Sequence, residues 1–162
     1  MKKVLCAILM VILCVGFVSC EFESEESGYS SHTEAPKMKI GDSVTSGDFE
    51  FTVLSVFPSI VGTNNIGYGV SISIQVRNIG TSEKTLRASD MKLFHKGSEY
   101  SISGESWRYS GYFLISDNIG AKMTKTYKLL YELPENYTED DYLQVDGPGL
   151  FAIKKIIYLS KE

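Results

Sequence analysis

Residues 70–77 read Val70-Ser71-Ile72-Ser73-Ile74-Gln75-Val76-Arg77, four β-branched side chains alternating with four polar ones. In an extended strand successive side chains point to opposite faces, so this order makes one apolar face and one wet face. A helix would scatter the same four apolar groups around its axis. β-branched residues also sit well on a pleated surface. The segment therefore commits the chain to a sheet, and a sheet with one apolar face needs a second layer to cover it. Ile72, Ile74 and Val76 should share the buried face, with Ser73 and Gln75 turned outward or toward an edge.

Other segments carry the same period. Phe49, Phe51 and Val53 alternate with Glu50, Thr52 and Leu54, and Ser46-Gly47-Asp48 offers a turn back toward Val44. Residues 91–95 and 98–102 flank Lys96-Gly97, a two-residue connection suited to a tight hairpin. Tyr127, Leu129 and Tyr131 alternate with Thr126, Lys128 and Leu130, and Leu133-Pro134 ends that run. Phe151, Ile153 and Ile157 share one side of a last strand, where Ile156 and Tyr158 imply partial cover of the other. Residues 113–116 and 142–145 are long enough for short strands, and only 136–142 suggests a helical turn. Eight or nine short strands separated by turn signals argue for an all-β domain of two packed antiparallel sheets, a β-sandwich.

The order of these elements resembles a family. Ile40-Gly41-Asp42 leads into Phe49-Glu50-Phe51-Thr52-Val53; the strand 68–76 closes with Arg77-Asn78-Ile79-Gly80; residues 93–100 follow, and Gly120 precedes the strand ending at Leu133-Pro134. Over residues 40–158 this is similar to a domain of unknown function with an immunoglobulin-like sandwich, found on bacterial lipoproteins and similar in fold to a secreted mycobacterial immunogenic antigen. The family often has proline where this chain has Ile119. The resemblance implies surface exposure and an immunoglobulin-like fold, and supplies no catalytic residues to carry over.

Ahead of the domain stand Lys2-Lys3, an unbroken apolar run of 15 residues from Val4 to Val18, and Ser19-Cys20 before acidic sequence. This is the layout of a signal peptide, and the run is shorter than the roughly 20 residues a membrane-spanning helix needs. Phe17-Val18-Ser19-Cys20 resembles the lipobox of bacterial lipoproteins, with Phe17 in place of the usual leucine, so residues 1–19 are expected to be removed and Cys20 lipidated. Cys6 and Cys14 would leave with the signal peptide, so no internal disulfide can form. Residues 20–36 hold Glu21, Glu23, Glu25, Glu26 and Glu34 and no lysine or arginine, the composition of a disordered acidic tether. Such a tether spans about 20 to 25 Å. Residues 37–162 then form the sandwich. Three segments follow: signal peptide, tether and domain. The expected address is the extracytoplasmic face of the cell membrane.

Chemistry is sparse. After removal of Lys2 and Lys3 the chain has 14 basic against 20 acidic side chains, a net charge of −6 that opposes binding to nucleic acid. His32 lies in the tether and His95 in the domain; a histidine-based hydrolase needs a nucleophile and an orienting group beside its base, and His95 is expected at an exposed strand end. Glu139-Asp140-Asp141 lacks the alternating spacing of a calcium loop and is expected in a solvated turn. No catalytic residue, metal site or cofactor is assigned. The remaining concentration is aromatic: Trp107, Tyr109, Tyr112 and Phe113, after a serine- and glycine-rich run. Either Trp107 and Phe113 cap the core, or Trp107, Tyr109 and Tyr112 form a ligand-binding loop, since rigid rings offer area at low entropic cost. The expected function is a non-enzymatic binding or interaction module for an unknown protein, peptide or glycan partner, held to the membrane by lipid on Cys20. A structural or stress-related envelope lipoprotein, and a hydrolase with an unrecognised carboxylate site, are the alternatives.

Overall fold

The computed structural model describes residues 37–61, 67–108, 111–113, 115–149 and 152–160. The expected signal peptide, Cys20 and the tether lie outside these residues, as does Tyr109.

The described chain is all-β. One antiparallel sheet has the order β1-β2-β3-β8, from β1 (Ser43–Ser46), β2 (Phe49–Val61), β3 (Gly67–Asn78) and β8 (Thr124–Leu133). A second, β10-β9-β5-β6, is built from β5 (Met91–His95), β6 (Ser98–Tyr100), β9 (Tyr142–Val145) and β10 (Lys155–Tyr158). A third pair joins β4 (Lys84–Arg87) to β7 (Ser116–Ile119). Apolar side chains of the two four-stranded sheets form one core: Phe51, Val53, Ile72 and Ile74 from one, Leu93, Leu143 and Ile157 from the other. Tyr131, fully buried, donates its hydroxyl proton to the Met91 carbonyl oxygen (3.3 Å), tying β8 to β5.

The period-two reading holds where it was strongest. Val70, Ile72, Ile74 and Val76 are all fully buried, Gln75 is exposed, and Ser71 and Ser73 are half-buried. Lys96 and Gly97 both have positive φ (48° and 79°), as a two-residue hairpin turn matched to the strand twist requires. Gly47 and Gly147 are required by close approach: a Cβ on the first would collide with the Pro148 carbonyl oxygen, and one on the second with that of Ser46. The β1–β2 turn is thereby clamped to the chain leaving β9, with Gly147 N–H donating to Ser46 Oγ at 2.9 Å. Asn78, buried at the end of β3, donates to the carbonyls of Ser82 and Ile119 and accepts from Gly80 N–H, so both its amide nitrogen and its amide oxygen are satisfied.

The structure departs from expectation in three places. The strand expected at 113–116 begins at Ser116, and β4 was not foreseen; each of these two short strands carries a single fully buried apolar residue, Ile119 and Leu86, which leaves no alternation to read. Helical turns fall at Ala88–Asp90 and Gly104–Arg108 rather than at 136–142. Short polar side chains decide this: Asp90 Oδ2 accepts from Arg87 N–H (2.7 Å) and Ser103 Oγ from Glu105 N–H (3.0 Å). Ile153, expected beside Ile157, lies before β10 and is 67% exposed.

Candidate functional site

Between β6 and β7 the chain leaves one four-stranded sheet and runs along the free edge of the other. Ser103 N–H donates to the Leu130 carbonyl (2.7 Å) and Phe113 N–H to that of Lys128 (2.8 Å), so two points of this connection are bonded to β8. An unpaired sheet edge is a liability, and this connection covers part of it. Ser103 is the staple at one end, since its hydroxyl also donates to Glu132 Oε1 and its carbonyl accepts from Ser106 N–H.

The aromatic residues divide. Phe113 is 5% exposed and meets Tyr127 edge-to-face, with ring centroids 5.0 Å apart, so it belongs to the core. Trp107, on the short turn Gly104–Arg108, is 66% exposed. The Arg108 guanidinium lies 5.2 Å from its ring centroid and is itself paired with Glu105 Oε2 (2.8 Å). Trp107 therefore does not cap the core. Tyr112 is half-buried; its hydroxyl shares a hydrogen bond of 2.9 Å with Ser71 Oγ on β3.

Beside Tyr112 opens a shallow groove of about 600 Å³ lined by Gly111, Tyr112, Phe113, Ile115, Ser116, Asp117 and Tyr127. Its apolar lip is Ile115, 78% exposed. Its polar end is Asp117, which accepts from Lys125 Nζ (2.8 Å) and Tyr127 Oη (2.9 Å). The Lys125 ammonium holds the Asp117 carboxyl below the ordinary aspartate range, with a smaller contribution from the tyrosine hydroxyl. Tyr127 is pushed the other way, above the usual phenol range, by burial and by its bond to the carboxylate. The groove thus includes Tyr112 but not Trp107, and Ile115, Asp117 and Tyr127 were missed in the sequence; an isoleucine outside any alternating run was the one signal for the first.

His95 corrects an expectation. It is 1% exposed, not a solvent-facing strand end, because it occupies the third inward position of β5 after Met91 and Leu93. Its Nδ1 hydrogen-bonds Asp141 Oδ2 at 2.7 Å, and Asp141, also 1% exposed, accepts from Thr138 N–H and Thr138 Oγ1. The run 139–141 is accordingly not wholly a solvated turn. Nε2 of His95 has no hydrogen-bond partner, and Glu135 Oε1 is 3.8 Å away. Among the described residues no group of three or more histidine, cysteine, aspartate or glutamate side chains is placed to hold a metal.

A second concavity, of about 630 Å³, is lined by Thr45, Gly47, Asp48, Lys84, Pro148, Lys155 and their neighbours. Its Lys84 and Asp48 are paired at 2.8 Å.

The fold recurs in solved structures of low sequence identity. The yjhA protein from Bacillus subtilis is 20% identical with a TM-score of 0.58, over 76% of this chain and 99% of that one. A candidate lipoprotein of Bacillus subtilis, ycdA, is 11% identical with a TM-score of 0.55, over 73% of this chain and 39% of that one. The secreted protein MPT63 from Mycobacterium tuberculosis is 16% identical with a TM-score of 0.53, over 78% of this chain and 99% of that one. No curated protein matches the sequence. The profile of one family matches residues 38–156, which takes in every described strand up to β10. The chain belongs to the family called the domain of unknown function DUF4352.

Proposed function

We propose that this domain is a non-enzymatic binding module, displayed outside the cytoplasm by lipid on Cys20, that takes a protein, peptide or glycan partner at the Trp107–Tyr112 connection. The observation that carries the reading is the exposed indole of Trp107, 66% accessible and packed against Arg108 on a turn stapled to β8. A large ring held in place presents contact area with little rotamer entropy left to lose, which is why tryptophan and arginine dominate binding hot spots. The groove beside Tyr112 adds a concave apolar surface with one polar end. Asp117 is held by Lys125 and Tyr127, a position that favours orienting a ligand over exchanging protons. Likeness in fold to a secreted protein and to a candidate lipoprotein supports the extracytoplasmic address.

The test begins with a partner captured on intact cells or from the medium by cross-linking. Trp107→Ala should then weaken its binding by about 2 kcal/mol or more, as hot-spot tryptophans do, and Tyr112→Ala should also weaken it. Undiminished binding by both variants would remove the site.

A further inference from the structure

Residues 153–156 read Ile153-Lys154-Lys155-Ile156, and all four are exposed, Ile153 at 67% and Ile156 at 39%. Two apolar side chains are thus left in water at the start of β10, a strand of which only Ile157 is buried. Between them stand two lysines without a counter-charge: among the described residues no carboxylate pairs with Lys154 or Lys155. The β9 residues in register with β10 are Tyr142, Leu143, Gln144 and Val145, none of them acidic. In the concavity that Ile153 and Lys155 help to line, Asp48 is taken by Lys84 at 2.8 Å. The other exposed isoleucines, Ile60 and Ile115, have no lysine beside them in the chain.

The occupant follows from where the chain enters the domain. Lys37 is the first described residue; its Nζ lies 5.4 Å from the Tyr158 ring centroid, and the Met38 carbonyl accepts from Tyr158 N–H. The chain from Cys20 therefore arrives beside the end of β10. With lipid on Cys20, the reading on which this inference rests, a tether over residues 20–36 would span about 20 to 25 Å. From Tyr158 back to Ile153 is about 17 Å at about 3.3 Å per residue. The patch is within reach of the bilayer that holds the chain, and attachment makes the contact intramolecular, so a weak one suffices. Bilayer chemistry also matches the side chains. Isoleucine gains by entering the boundary between headgroups and acyl chains, lysine stems lie along apolar surface while their ammonium groups stay in water, and each lysine is drawn to an anionic leaflet. An uncharged glycan offers nothing to the lysines.

We propose that Ile153–Ile156 is a membrane-contact patch, which seats the anchored domain on an anionic lipid surface with the two isoleucines at the acyl boundary and the two lysines among the headgroup phosphates. The contact turns a tethered domain into an oriented one, with the start of β10 against the bilayer. Its lysine part weakens with salt, since exposed charges are screened over about 8 Å at physiological ionic strength; its isoleucine part does not.

The test uses the full lipidated chain with two kinds of vesicle, phosphatidylcholine alone and phosphatidylcholine mixed with phosphatidylglycerol. Flotation with the neutral vesicles reports the anchor. Amide hydrogen exchange of residues 153–156 reports the patch, and it should be slower on the anionic vesicles than on the neutral ones. Lys154→Glu combined with Lys155→Glu should remove that difference, and Trp107→Ala should not. A chain that fails to float with neutral vesicles lacks the lipid on Cys20, and its flotation with the anionic ones then decides the patch: the two charge reversals should lower it at least tenfold, at about fivefold per lysine. Flotation with neither vesicle overturns the proposal. So does equal exchange on both, and so does protection that the charge reversals leave in place. Protection that appears without vesicles as the protein is concentrated assigns the patch to a second copy and overturns it too.

Discussion

His95 and Asp141 come from segments 46 residues apart, yet they share a 2.7 Å hydrogen bond with both side chains 1% exposed. Asp141 also accepts from Thr138 N–H and Thr138 Oγ1, so the pair fixes the approach to β9 against the end of β5. Removing one member leaves the other buried without its partner, the situation that makes broken buried pairs expensive. His95→Ala is expected to cost about 3 kcal/mol in denaturant unfolding, and His95→Gln less. A variant as stable as the parent would show that the bond contributes nothing. Trp107 is the opposite case. With two-thirds of its surface accessible, Trp107→Ala should change stability by well under about 1 kcal/mol. Because Trp107 is the only tryptophan, its emission reports on one site: red-shifted and open to quencher in the free protein. Blue-shifted, protected emission would contradict its exposure.

The β3 strand was legible because a strand buried on one face writes its geometry into a period of two, and fully buried residues 70, 72, 74 and 76 follow it without exception. β4 and β7 were not, since each covers the core with one side chain and a single residue has no period. The connection between β6 and β7 was legible in composition and not in arrangement: clustered rings do not reveal that Phe113 turns in while Trp107 turns out, which depends on the bonds of Ser103 and Phe113 to the edge of β8. Side-chain bonds from β8 to Asp117 on β7 set a pH dependence. Lys125 first, and Tyr127 second, hold Asp117 below the ordinary aspartate range. A carboxyl with a depressed folded-state value stabilises the fold above its unfolded value, near pH 4, and that contribution is lost as pH falls through the lower, folded one. Burial raises Asp90, which therefore acts with the opposite sign. Asp117→Asn should thus make unfolding midpoints less sensitive to acid below about pH 4, with Asp90→Asn changing the slope in the other direction. An unaltered acid limb in Asp117→Asn would mean that the groove's ion pair does not survive in solution.

The domain packs one core from its two four-stranded sheets and the β4–β7 pair and gains nothing from disulfides, since Cys6, Cys14 and Cys20 all precede its first described residue. That separates holding the fold together from holding it in place, and leaves Cys20 available for attachment. The apolar run and small Ser19 before Cys20 would deliver its thiol to the membrane surface. Each buried methylene contributes about 0.8 kcal/mol, and one acyl chain anchors only marginally, whereas the two chains of a diacylglyceryl group anchor stably. Anchoring should therefore depend on this one sulfur. Cys20→Ala is expected to move the protein from the detergent phase to the aqueous phase on partitioning and from the membrane fraction to the soluble one. Its melting temperature should match that of the anchored form, because among the described residues the core is built without Cys20. A Cys20→Ala protein that stays with detergent would show that the apolar run itself is the anchor; one that leaves the membrane but melts several degrees lower would show that attachment and folding are coupled after all.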